Sequence, residues 1–118
     1  MRWNLETLEI ARIAANFLEE KKGEDIVLMD IHEISDFADY FILCTGTSDR
    51  MLSALADDLV RRMRSQESLH ARTEGSPQDG WILVDFGNLI VHLFSPDRRD
   101  YYRLEDLWGK GKVLLRLQ

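Results

Sequence analysis

Trp81-Ile82-Leu83-Val84-Asp85-Phe86-Gly87-Asn88-Leu89-Ile90-Val91-His92-Leu93-Phe94 is two strand-like runs either side of a tight turn. Both runs are rich in β-branched, aliphatic and aromatic residues, and glycine first in a two-residue turn suits a type II′ hairpin. Such a turn pairs Phe86 with Leu89, Val84 with Val91 and Ile82 with Leu93. Paired residues share a face. One face is then Ile82, Val84, Phe86, Leu89, Val91 and Leu93, without a polar atom in any side chain, and it must lie on a helical core. The other face is Trp81, Leu83, Asp85, Ile90, His92 and Phe94. It admits two readings. Either a C-terminal helix covers it and the diagonal neighbours Asp85 and His92 satisfy each other, or much of it is exposed and binds a partner. Large aromatics with a few polar groups are the usual makeup of an interface hot spot.

Upstream, Ile10, Ile13, Ala14 and Phe17 recur at helical spacing, predicting a helix over 5–21 that Gly23 ends in a left-handed cap. Asp25 to Ile31 reads as a strand, and Tyr40-Phe41-Ile42-Leu43-Cys44-Thr45 as a second strand buried on both faces. Ser48 is placed to cap a helix running to about residue 66, with Leu52, Leu55, Ala56, Leu59, Val60 and Met63 as its apolar stripe. A short strand is expected around Leu69 to Thr73, and a loop over Glu74-Gly75-Ser76-Pro77-Gln78-Asp79-Gly80. Downstream, Pro96 ends the ladder. Tyr101, Leu104, Leu107 and Trp108 are spaced for one face of a short helix. The sum is an α/β (α+β) single domain: a mixed five-stranded sheet with helices packed on it.

The chain has 118 residues, 45% of them hydrophobic and 31% charged, enough for one core without metals or disulfides. The lone Cys44 fits a reducing compartment. No stretch approaches the ~18 apolar residues of a membrane span, and the N-terminus does not read as a signal peptide, so the expected location is cytoplasmic. Net charge is −6, unevenly spread: residues 1–97 hold 9 Lys and Arg against 18 Asp and Glu, residues 98–118 hold 6 against 3. An acidic body disfavours broad nucleic-acid binding and attracts basic proteins. The basic tail could still touch nucleic acid locally.

Catalytic constellations are lacking. Gly46-Thr47-Ser48 at a strand-to-helix turn resembles the phosphate-holding turn of nucleotidyltransferases. The following strand, however, has no paired carboxylates to hold magnesium. His32, His70 and His92 have no zinc-ligand spacing with Cys44. No cofactor is expected.

Three segments together carry a family resemblance: Asp39-Tyr40-Phe41-Ile42-Leu43-Cys44-Thr45-Gly46-Thr47-Ser48, the Trp81-to-His92 run, and Arg99-Asp100-Tyr101-Tyr102-Arg103-Leu104-Glu105-Asp106-Leu107-Trp108. In this order they resemble the ribosomal silencing factor (iojap-related) family over about residues 5–108. The resemblance implies a nucleotidyltransferase-like fold without its active site, and no enzyme activity. It implies binding to the free large ribosomal subunit through that subunit's fourteenth-numbered protein, a steric block to subunit joining, and repression of translation under nutrient limitation. The family pattern puts partner-facing residues at Trp81, Leu83, Asp85, His92, Tyr102, Leu104, Glu105, Leu107 and Trp108, some of which are contacts and some scaffold. The chain departs from the pattern at Asn88, where many members have Asp. It also departs in the tail 109–118, which is either a flexible extension near ribosomal RNA or an added strand. Residues 1–108 are thus the expected silencing-factor domain and 109–118 a C-terminal extension. Two other readings stay open: a diverged nucleotidyltransferase with metals held partly by Asp85, and a homodimeric scaffold burying the Trp81/Phe94 face.

Overall fold

The structure, a computed structural model, describes residues 2–102 and 111–117, and the side chains of 6–99 and 111–117. Helix α1 (Arg2–Glu20) leads into strands β1 (Glu24–Asp30) and β2 (Tyr40–Thr45), helix α2 (Asp49–Glu67) and strand β3 (Arg72–Ser76). A 3-10 turn (Pro77–Asp79) then enters the hairpin β4 (Trp81–Asp85) and β5 (Leu89–Phe94). Helix α3 (Pro96–Tyr102) and strand β6 (Lys112–Leu117) follow. The strands form one sheet in the order β3-β4-β5-β2-β1-β6. Among the described residues only β2 and β5 are parallel; every other neighbouring pair is antiparallel.

The sheet has six strands rather than the expected five, because part of the tail is the added strand. β6 pairs antiparallel with β1, from Ile26 with Leu117 to Asp30 with Lys112. The hairpin register is as read: Ile82 pairs with Leu93 and Val84 with Val91. Gly87 turns at φ 99° while Asn88 keeps a negative φ, as a type II′ turn requires.

Helices α1 and α2 lie on one face of the sheet, α1 against β1 and β2, α2 against β4 and β5. Their apolar stripes meet the first hairpin face there: Ala14, Leu18, Leu52, Leu55, Leu59 and Met63 pack with Ile82, Val84, Leu89, Val91 and Leu93. Ser48 caps α2 as expected, its hydroxyl accepting from the Met51 amide at 3.0 Å. A second apolar cluster occupies the opposite face. Val27, Met29, Phe41, Leu43, Ile90 and Phe94 are buried in it, with Ile34, Trp81 and Leu83 packed alongside. Two buried faces explain why β1, β2 and β5 read as continuous apolar runs.

Two local expectations need correction. The third strand begins three residues late and consumes part of the expected loop: Glu74, Gly75 and Ser76 pair with Leu83, Ile82 and Trp81. As an exposed edge strand it has no buried face to impose alternation, and Gly75 adopts φ +87° where the two backbones approach. The left-handed residue after α1 is Lys22 (φ 75°), not Gly23. Gly23 is constrained by space instead. A Cβ there would lie 2.5 Å from the Cys44 sulfur and 3.0 Å from the Leu18 carbonyl oxygen. Gly23→Ala should therefore cost about 1–2 kcal/mol of stability by overpacking. A urea melt with an unchanged midpoint would show that the core yields freely there.

Candidate functional site

Strand β4 aims Trp81, Leu83 and Asp85 at the second sheet face, because residues two apart share a face. All three are half-buried. Beside them, β5 aims Ile90, His92 and Phe94 to the same side, and these are buried, His92 to 5% exposure. The hairpin's second face is thus divided: its inner strand is core, and its outer strand keeps partial access to solvent.

His92 holds the outer strand's largest side chain. The indole Nε1–H of Trp81 donates to His92 Nδ1 at 3.2 Å. The indole also leans on Phe94, with ring centroids 5.0 Å apart. Because Trp can only donate, Nδ1 must be the acceptor and the imidazole proton sits on Nε2. Phe41 meets the imidazole edge to face at 4.6 Å, and Phe94 stacks parallel to it. Burial among these rings pushes the imidazole pKa down to about 4. His92 Nε2 is buried with no hydrogen-bond partner.

The expected satisfaction of Asp85 and His92 by one another does not occur. Asp85 Oδ1 accepts instead from the Gly87 amide at 2.7 Å. Asp85 sits next to the turn, whose backbone donors are unpaired by the ladder, and a carboxylate there is taken locally.

An open cleft of about 390 Å³ lies at the β3–β4 edge, lined by Glu74, Gly75, Asp79, Trp81, Leu83 and Arg98. Its wall is braced from two sides. Arg98 Nε donates to the Asp79 carbonyl at 3.1 Å, and the Ser95 amide donates to the Gly80 carbonyl at 2.9 Å. Arg99 ties α3 to the sheet, donating to the Asp25 carbonyl at 2.6 Å and to Thr45 Oγ1 at 3.0 Å. Glu74, Asp79 and Arg98 were not foreseen as site residues. They enter only because β3 extends past Thr73 and the 3-10 turn folds back beside Trp81. Of the remaining expected positions, Tyr102 ends α3 with its side chain outside the described residues, and Leu104, Glu105, Leu107 and Trp108 lie wholly outside them.

The Gly46-Thr47-Ser48 turn is a packed cap. The Gly46 amide donates to the Phe94 carbonyl at 2.8 Å, and a Cβ on Gly46 would come within 2.8 Å of the Leu52 side chain. Among the described residues no group of three or more His, Cys, Asp or Glu is placed to hold a metal ion, and no helix is long and apolar enough to cross a membrane. What the second face offers is contact: an oriented indole and a leucine beside a cleft whose rim carries two carboxylates and one guanidinium.

The described residues form a small mixed-sheet domain with a half-buried indole and leucine beside an open cleft. Comparison places it more closely. The family model for "Ribosomal silencing factor during starvation" matches residues 4–117, and the chain belongs to that family. It is 40% identical to the ribosomal silencing factor RsfS of Bacillus subtilis over 88% of each chain. To the protein of the same name from Halalkalibacterium halodurans it is 39% identical, over 90% of this chain and 91% of that one. It is also 32% identical to the mouse protein named mitochondrial assembly of ribosomal large subunit protein 1, of which it covers 42%. Among solved structures, a crystal structure of a Chromobacterium violaceum protein superposes with a TM-score of 0.82 at 35% identity, covering 86% of this chain and 85% of that one.

Proposed function

We propose that the chain binds the free large ribosomal subunit in the cytoplasm through its fourteenth-numbered protein, at the surface that faces the small subunit. Occupying that surface blocks subunit joining sterically and represses translation when nutrients are short. The observation that carries this reading is the half-buried edge of Trp81 and Leu83, held by His92 and opening on a cleft, in a chain of the silencing-factor family. Asp85, beside the turn, extends the same edge. Tyr102, Leu104, Glu105, Leu107 and Trp108 complete the surface in this reading, and no chemistry is required of any of them. Sedimentation with purified large subunits, small subunits and joined ribosomes tests it. The protein should travel with large subunits and keep them from joining. Travel with small subunits alone, or joining at the normal rate in its presence, would refute it.

The charge distribution adds an expectation about rate. An acidic body approaching a basic protein surface is steered electrostatically, so raising ionic strength should slow association more than it speeds release. Stopped-flow or surface-based kinetics across a salt series would read this directly. An association rate indifferent to salt would mean that the charge asymmetry plays no part in docking.

A further inference from the structure

The helical layer carries a feature that the second-face reading does not use. Between the C-terminal halves of α1 and α2 lies a cleft of about 230 Å³, lined by Phe17, Lys21, Asp58, Arg61, Arg62 and Ser65. Three of the six are cations, on a body whose first 97 residues carry twice as many acids as bases. The one carboxylate in the lining, Asp58, makes only a long 3.4 Å contact with Arg61. Lys21 and Arg62 both sit over the Phe17 ring, at 5.6 and 5.0 Å from its centroid. Both cations thus lie against one buried ring. Arg62 Nε is buried without a hydrogen-bond partner.

Helix-dipole compensation accounts for Lys21, directly after the last residue of α1, but not for Arg61 and Arg62. The basic residue in the last turn of α2 is Arg64, and Arg61 and Arg62 precede that turn. Three cations lining one open cleft suit an oxyanion, since a guanidinium fork and an ammonium together match phosphate oxygens. The Phe17 ring is 5% exposed and already has two cations against it, so it gives a base nothing to stack on, and the site reads phosphate and not nucleobase.

We propose that this cleft binds a phosphate group of an RNA backbone. It lies on the opposite side of the sheet from Trp81, so the domain would hold two surfaces at once: a protein through the hairpin edge, and a phosphate through the helical layer. The phosphate chemistry stands on the cleft alone; the presence of RNA nearby rests on the large-subunit reading above. An island of three cations on an acidic body limits the contact to about one phosphate. The logarithm of the binding constant should then fall with the logarithm of salt at a slope of about −1, not the steep slope of a broad basic surface.

Nuclear magnetic resonance titration of the isolated, isotope-labelled chain tests this without the ribosome. A short RNA duplex at low ionic strength should shift the amides of Phe17, Lys21, Arg61, Arg62 and Ser65 saturably. Lys21→Glu combined with Arg61→Glu, both exposed positions, should lower the affinity at least tenfold. Inorganic triphosphate should shift the same amides, and adenosine triphosphate should bind no more tightly than inorganic triphosphate. No shift at these amides, or shifts that survive the double variant, would overturn the site. Binding of inorganic triphosphate without binding of the duplex would overturn RNA as its source, and a tenfold preference for the nucleotide would overturn base-blind recognition. Should the double variant fail a thermal melt, the pattern of shifts in the unaltered chain still decides. None of these outcomes depends on subunit binding, which Trp81→Ala probes separately.

Discussion

Trp81→Ala should weaken binding to the large subunit about 30-fold and allow subunits to join again. Truncating a large aromatic anchor at an interface commonly costs ~2 kcal/mol or more, which is that factor in affinity. Trp81 has the properties of such an anchor. It is half-buried, so its ring keeps area to bury against a partner. It is oriented in advance by His92 and Phe94, so little rotamer freedom is lost on docking. The same contacts mean that truncation also removes packing, so a thermal melt must accompany the binding measurement. Arg12→Ala, exposed on α1 in the layer across the sheet, should change neither binding nor stability. If Trp81→Ala stays folded and blocks joining at the concentration of the unaltered protein, the hairpin edge is not the docking surface.

The second large effect is one of pH. The imidazole of His92 has a pKa of about 4 in the folded chain, against an ordinary 6.5. Between these values the unfolded chain binds a proton that the folded chain does not. The stability associated with a neutral His92 is therefore complete above about pH 6.5. It drains away as pH falls towards 4 and changes no further below that. A displacement of this size corresponds to about 3 kcal/mol. Protonation also puts a proton on Nδ1, where the Trp81 indole already donates, so the hydrogen bond that orients the anchor is lost together with the stability. His32 works in the other direction: its hydrogen bond and attraction to Asp30 raise its pKa, favouring the folded state at low pH. Comparing the unaltered chain with His92→Gln removes that contribution, since His32 is common to both. The stability advantage of the unaltered chain should shrink by about 3 kcal/mol between pH 7 and pH 4 in denaturant melts. Parallel curves would show that His92 is not titrating in this environment.

The hairpin was legible because its pattern has few solutions. Six residues without a polar atom fall on one face in only one register, and Gly87 names the turn. The capped helix after Ser48 was legible for a similar reason, since the cap and the apolar stripe agree. The edges were not. β3 is Arg-Thr-Glu-Gly-Ser, every position outside the core, and an edge strand with no buried face carries no periodicity to read. β6 lies in a tail whose apolar run Val113-Leu114-Leu115 fits equally an added strand and a loose extension. At the site, the sequence showed that His92 has diagonal neighbours on its own face but not which one it bonds. The competing demand of the turn for the Asp85 carboxylate settles that, and it appears only in three dimensions. The phosphate cleft was invisible for the simplest reason: Lys21 and Arg62 lie far apart in the chain and come to the same Phe17 ring only because α1 and α2 pack together.

The pairing of β6 with β1 bears on how this protein would fail. β1 contains Ile26-Val27-Leu28-Met29, all buried. Without β6 its outer side would present a row of free backbone donors and acceptors along an apolar strand, the surface on which chains add to one another in aggregates. β6 covers that row, and its own exposed residues set the charges of Lys112 and Arg116, which discourage a further strand from joining, on either side of the apolar Val113 and Leu114. A chain clipped before residue 111 is thus expected to lose its solubility well before it loses its helical core, and the tail serves as a guard rail for the sheet.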